Sequence, residues 1–261
     1  MPVADGLWYD WAGNPDGEVL VLSAGLGGSA SYWQPNLAVL GADHRLLLYD
    51  HRGTGRSDRR LPDAVTVADL ANDILTLLDA TGIERMHLVG HAAGAVAGLA
   101  LALKAPERLG KLVAVNGWAA PDPHFARCFD ARLALLRRSG PEAYLRAQPI
   151  FLFPAPWISE HHEALEAEFA HQLAGFAGAD SFEKRIAALR GFDIADRLGE
   201  IATPVLALAS HDDMLMPWTA SERLVAGLPN ATLAVMPWGG HACNVTDPDS
   251  FHTLILEFLR S

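Results

Sequence analysis

The stretch His87-Leu88-Val89-Gly90-His91-Ala92-Ala93-Gly94-Ala95-Val96 constrains the fold more than any other. Its apolar start reads as a buried strand, Gly90 and Gly94 frame a tight turn, and a helix of small residues follows to about Leu103. Glycines at this spacing let a chain reverse sharply from strand to helix, lifting the residue between them to the top of a sheet. Here that residue is Ala92, which has no nucleophilic group. A plain packing junction would use the same small residues, so the remainder of the chain must decide.

The 261 residues, half of them hydrophobic, can bury a sizeable core and suit one domain with an insertion. A net charge of −11 argues against a nucleic acid or an anionic membrane as partner. A small-molecule substrate, even an anionic one, stays compatible, because the local field can oppose net charge. Cys128 and Cys243 are too few for a disulfide framework and suit a reducing compartment. The N-terminus shows no basic region followed by an apolar core, and the run from Ala92 to Leu103 is too short to span a bilayer. These readings give the expectation of a cytoplasmic protein; no cofactor and no metal are expected, and a homodimer stays open.

Along the chain, Leu7–Trp11 reads as an edge strand, with turn chemistry after it in Asn14-Pro15-Asp16-Gly17. The strand Glu18–Leu22 feeds the loop Ser23-Ala24-Gly25-Leu26-Gly27-Gly28-Ser29-Ala30, where two readings compete. Gly25, Gly27 and Ala30 have the spacing of a dinucleotide fingerprint, with Asp50 as the ribose-binding acid. Alternatively the loop presents a backbone N–H, that of Leu26, as half of an oxyanion hole. The first reading needs an uninterrupted helix opening at the glycines, which Tyr32-Trp33 and Pro35 fit poorly. Arg45–Tyr49 is the next strand, and the turn Asp50–Ser57 lacks the Gly-Lys-Ser/Thr of a phosphate loop. Val67, Leu70, Ala71, Ile74, Leu77 and Leu78 then mark a helix, capped by Thr66 and closed by Gly82.

Lys111–Val115 is a further strand, ending in Asn116-Gly117-Trp118. From Ala119 to Arg197 strands vanish, and helical segments are broken by Pro121, Pro123, Pro141, Pro149, Pro154 and Pro156. An all-helical stretch between two strands reads as a cap over a binding site. It divides the chain into core 1–118, cap 119–197 and core 198–261. His161 and His162 are adjacent and share no helix face, which disfavours a metal site. The sheet resumes at Pro204–Ala209 and Ala231–Met236, and a helix from about Asp249 to Leu259 closes the chain.

Strands alternating with helices at these lengths predict an α/β fold with a mostly parallel sheet covered on both faces. The order of the loops narrows it further: a tight elbow, then an acid four residues before Pro217, then Gly240-His241 after the last strand. This resembles the α/β-hydrolase order Ser…Asp…His, with alanine where the nucleophile elbow carries serine. The resemblance implies the α/β-hydrolase fold with an all-helical cap insertion. It implies His241 as base, Asp213 as its orienting acid with Asp212 as the alternative, and Ala92 at the nucleophile position. Leu26 and Ala93 would supply the oxyanion amides, and Ala24, Asn116 and Trp118 would line the substrate, with His91 either lining it or structural. Cys243 competes as a replacement nucleophile against the reading of a small buried hydrophobe. Arg52, Arg127 and Arg132 are candidates to meet a substrate carboxylate, against surface or structural roles.

Gly25-Leu26-Gly27-Gly28-Ser29 with Tyr32-Trp33, Asp50-x-Arg52-Gly53-Thr54-Gly55, Val115-Asn116-Gly117-Trp118 and the run Gly239–Pro248 together resemble the pyrimidine-utilisation protein D family. The cap adds Arg127-Cys128-Phe129 and Gln148–Ala155, so the resemblance spans nearly the whole chain. It implies hydrolysis of a small labile nitrogen compound, carbamate or aminoacrylate, in uracil degradation. That family carries alanine at the elbow, which implies that Ala92 is native. The expected mechanism is then water activated by His241, with no covalent intermediate. Two other readings stand beside it: a non-catalytic binding relative, and a serine esterase or amidase carrying a Ser-to-Ala change.

Overall fold

A computed structural model describes residues 2–261. Among these residues eight strands form one sheet: β1 (Val3–Ala4), β2 (Leu7–Gly13), β3 (Glu18–Ser23), β4 (His44–Tyr49), β5 (Met86–His91), β6 (Leu109–Val115), β7 (Val205–Ser210) and β8 (Ala231–Met236). Their spatial order is β1-β2-β4-β3-β5-β6-β7-β8, parallel from β4 through β8 and antiparallel at β1 and β2. The central strands are apolar on both faces because helices cover both sides. Leu7–Trp11 is therefore not the outermost strand. Asp5 and Gly6, both at positive φ, reverse the chain so that Val3–Ala4 pairs outside it.

Helices α1 (Leu37–Leu40) and α2 (Val67–Thr81) flank the first strands, and α3 (Ala93–Lys104) follows β5 directly. A capping box between Thr66 and Asp69 starts α2, and Gly82 in the left-handed region ends it. Between β6 and β7 the chain is entirely helical: α4 (Pro123–Leu152), α5 (Ala155–Glu160), α6 (His162–Ala174) and α7 (Ala179–Arg190). Then come α8 (Trp218–Gly227), α9 (Cys243–Thr246) and α10 (Pro248–Arg260).

Two of the prolines expected as breakers behave otherwise. The interruption in α4 is Gly140, at φ 83°, and Pro141 opens the helical run after it, where a fixed φ suits a first turn. Pro149 lies within that second run, and the Phe153 amide still reaches its carbonyl at 2.9 Å.

One side of the sheet packs Leu70, Ile74, Leu77 and Leu78 of α2, the small face of α3, and Phe125 and Phe129 of α4 into one core. The other side packs Trp33, Leu40, Phe251 and Ile255 against Leu20, Leu22, Leu46 and Leu48. Among the described residues no helix is long and apolar enough to cross a membrane. The carboxyl ends of β3, β5, β6, β7 and β8 open toward one edge of the molecule, and the site gathers there.

Candidate active site

The turn from β5 to α3 places Ala92 at φ 47°, ψ −98°, a conformation that L residues occupy only under local strain. Its amide donates to the Val115 carbonyl (2.8 Å), and the Gly94 amide donates to that of Ala24 (3.1 Å). Space forces the two glycines: a Cβ on Gly90 would strike the Gly94 carbonyl, and one on Gly94 would strike the Ser23 carbonyl. The elbow is thus stitched to β3 and β6 through backbone alone. The Ala93 amide, at the positive end of the α3 dipole, donates to no protein acceptor among the described residues. Nor does that of Leu26. Two unpaired N–H groups of this kind can receive a developing negative charge.

His241 follows β8 in the loop Gly239-Gly240-His241 and is 3% exposed. Its Nδ1 lies 2.7 Å from Oδ2 of Asp213. Oδ1 of Asp213 accepts from the amides of Leu215 (2.7 Å) and Met216 (2.9 Å), which fixes the carboxylate. Nδ1 therefore carries the proton and Nε2 keeps its lone pair, making no hydrogen bond to the protein among the described residues. Asp212 has another task. Its Oδ1 accepts from the Ser210 hydroxyl (2.7 Å) and the Gly240 amide (2.9 Å), so it holds the loop on which His241 sits.

Of the four residues expected to line the substrate, His91 and Asn116 grip the backbone of His241. His91 Nε2 (2.8 Å) and Asn116 Nδ2 (2.7 Å) both donate to its carbonyl. Tyr32 stacks on His91 at 4.8 Å, and its hydroxyl donates to Asn244 Oδ1 at 2.6 Å. Asn244 in turn exchanges hydrogen bonds with Asn36, so the segment after His241 is tied to the glycine loop. Trp118 is buried against Phe125, and Ala24 packs into the core beside Trp33. Cys243 is fully buried in that same core, and burial with nearby Asp213 holds its thiol protonated, as suits a small hydrophobe.

Asp50 is occupied by the protein itself. It accepts from Arg56 Nε and Nη2, from the Arg56 amide and from the Ala30 amide, and it is fully buried. The chain after the glycines forms a 3-10 helix, Ala30–Asn36, with Pro35 inside it. That geometry serves the oxyanion reading of the loop rather than the dinucleotide one. Arg52 is taken up by Asp73 and Asp5, and Arg127 is exposed. A cavity of about 510 Å³ between α2, α3 and the end of α7 lies away from Ala92 and His241 and holds none of these groups.

One participant escapes a reading by motif. Arg185 on α7 is buried, and its Nε and Nη2 donate to the Leu26 carbonyl at 3.2 and 2.8 Å. Nη1 reaches the Arg52 carbonyl (3.0 Å) and Nη2 reaches His51 Nδ1 (3.0 Å). With Nδ1 accepting, His51 Nε2–H donates to the Ser23 hydroxyl at 3.1 Å. This cation orients the peptide beside the free Leu26 amide. The sequence signal was an arginine on the apolar stripe Phe182, Arg185, Ile186, Leu189.

Burial pushes His51 and His91 well below the ordinary imidazole value of 6.5, with Arg185 adding to the first and His241 to the second. Both stay neutral in the folded chain while the unfolded chain takes up protons below that value. Stability is then flat above about pH 6.5 and falls as pH drops, by up to about 1.4 kcal/mol per pH unit for each histidine. Urea denaturation between about pH 7.5 and about pH 5.5 should show this slope, and His51→Asn should make it shallower.

Residues 18–156 match the family of the alpha/beta hydrolase fold. The chain belongs to that family and is a hydrolase. A relative from a Caulobacter species is 54% identical over 98% of this chain and 96% of its own, and bears the name "Putative carbamate hydrolase RutD". One of the same name from Variovorax paradoxus is 52% identical over 97% of this chain and 96% of its own. Among solved structures, a hydrolase from Pseudomonas aeruginosa is similar with a TM-score of 0.88 at 30% identity, covering 98% of this chain and 94% of that one. The enol-lactonase of Burkholderia xenovorans, at 24% identity and a TM-score of 0.88 over 99% of this chain and 98% of its own, shares the fold.

Proposed function

We propose that this protein hydrolyses the C–N bond of a small, spontaneously labile nitrogen compound, carbamate or aminoacrylate, with water as the only nucleophile. One observation carries the reading. Among the described residues His241 Nε2 has no protein partner, and the elbow residue supported from the same loops is Ala92, which has no hydroxyl to compete with water. The helical insertion 119–197 acts as a cap over core segments 1–118 and 198–261. The reaction belongs in the cytoplasm, where the free thiols of Cys128 and Cys243 stay reduced.

His241, oriented by Asp213, takes a proton from water, and the Leu26 and Ala93 amides meet the charge that develops on oxygen. With aminoacrylate, the enamine tautomerises to an imine, water adds to the imine carbon, and ammonia leaves. With carbamate, water adds to the carboxyl carbon as His241 takes its proton and passes it to the nitrogen, and the C–N bond breaks to bicarbonate and ammonia. General acid–base catalysis contributes about 10²–10⁴-fold, and a serine hydrolase site stripped of a triad member keeps about 10³–10⁴-fold over water. Such power is too small for a peptide and enough for a compound that already decomposes unaided. The names of the Caulobacter and Variovorax relatives agree with this substrate class.

The test is ammonia release from freshly generated aminoacrylate and, separately, from carbamate. Acceleration over buffer with one of them supports the reading and names the substrate. Rates equal to buffer with both would overturn it in favour of a binding role.

A further inference from the structure

Arg132 and Arg185 are both buried in the helical insertion, and among the described residues neither pairs with a carboxylate. Arg185 shows what a structural arginine looks like here, since three protein acceptors, two of them carbonyls, use Nε, Nη1 and Nη2. Arg132 is different. Only Nη2 donates, to the Tyr144 hydroxyl at 2.7 Å and to Gln148 Oε1 at 3.4 Å. Its Nε is buried with no acceptor, and Nη1 makes no hydrogen bond to the protein among the described residues.

The guanidinium carbon lies 5.1, 5.0 and 5.5 Å from the ring centroids of Phe129, Tyr144 and Phe151. Ring faces favour a cation, yet they offer nothing to the free N–H groups. A buried charge without a counter-charge is strongly disfavoured, and a planar carboxylate is the natural complement to an arginine fork.

The surroundings tie this cation to the catalytic loops. One turn before Arg132 on α4, the Cys128 sulfur lies 3.5 Å from the Met214 carbonyl, next to Asp213. On the other side, Phe151 precedes Leu152, whose carbonyl accepts from the Ala242 amide (2.9 Å), next to His241. Both walls around the guanidinium thus abut the loops that carry the acid and the base.

We propose that Arg132 is the carboxylate anchor of the active site, and that the substrate is a small monocarboxylate whose C–N bond is presented to His241 while its carboxylate rests on the guanidinium. The inference rests on the hydrolytic reading above and narrows it. In carbamate the carboxylate carbon is itself the reacting atom. In an aminoacrylate the carboxylate is separate from the C–N bond, so one end can be held while the other reacts.

Propionate and its neutral isostere propionamide test the anchor without any turnover. Titration calorimetry should show propionate binding to the unmodified protein and to His241→Ala, with propionamide much weaker. Arg132→Met should weaken propionate by about 10–100-fold, the range for hydrogen bonds to charged groups. Arg132→Lys keeps the charge without the fork and should fall between; it decides the matter if the methionine variant does not fold. In turnover, Arg132→Lys should raise KM more than it lowers kcat. No propionate binding to the unmodified protein, equal binding of the amide, or undiminished binding in the Arg132 variants would overturn the anchor. Propionate binding that depends on Arg132, in a protein that releases no ammonia, would leave the anchor standing and remove the hydrolytic reading.

Discussion

His241→Ala should abolish all but a small remnant of the proposed ammonia-releasing activity, a loss of about 10²–10⁴-fold in kcat. The argument is geometric. Asp213 fixes the Nδ1–H of His241, His91 and Asn116 fix its carbonyl, and Nε2 is the ring nitrogen left without a protein partner among the described residues. A residue held at three points with its basic nitrogen free is arranged for proton transfer. The same variant strips Asp213 of its imidazole, leaving a buried carboxylate with two amide donors, so the thermal midpoint must be recorded beside the rate. Retained folding with a lost rate is the expected result. A rate equal to that of the unmodified protein would mean that the chemistry takes place elsewhere.

Ala92→Ser should create an activity that the unmodified protein lacks. The elbow backbone already holds the strained φ of 47° that a nucleophile needs, and the free amides of Leu26 and Ala93 flank it. Adding a hydroxyl completes Ser–His–Asp, and hydrolysis of an activated ester such as p-nitrophenyl acetate should rise by roughly 10²-fold or more, with an initial burst from the acyl-enzyme. Ammonia release should fall in the same variant, because the hydroxyl takes the place of the reacting water. Unchanged ester hydrolysis would show that His241 does not serve position 92.

The sheet was legible because each central strand is a continuous apolar run closed by glycine or a polar turn, and the loop order carried the hydrolase topology with it. The elbow, Asp213, His241 and the Gly25–Ala30 loop were legible for the same reason: each sits where a strand ends. Val3–Ala4 escaped because a strand of two residues has no alternation to read. Pro149 misled because a proline can be carried inside a helix when its neighbours still close their hydrogen bonds. The choice between Asp212 and Asp213 rests on the four-residue spacing to Pro217, while the partner of each carboxylate, His241 for one and Ser210 with Gly240 for the other, is set by the fold of the loop. Tyr32 with Asn244, and Arg185 with Leu26, join positions 212 and 159 residues apart, beyond any local pattern. An arginine on an apolar helix stripe, as at 132 and 185, is the one local sign that such partners exist.

The Arg185 clamp makes the helical insertion mechanically unequal. Swinging α7 away would tear a buried cation from the Leu26 and Arg52 carbonyls and from His51 together, and would unseat the Gly25–Ala30 loop in the same stroke. By contrast α5 and α6 bury no residue at all. Local opening is therefore expected in those two helices first, with α7 held against the Gly25–Ala30 loop. On the proposed reading, small molecules would exchange through that loose flank while the Leu26 peptide and the Gly25–Ala30 loop stay in place.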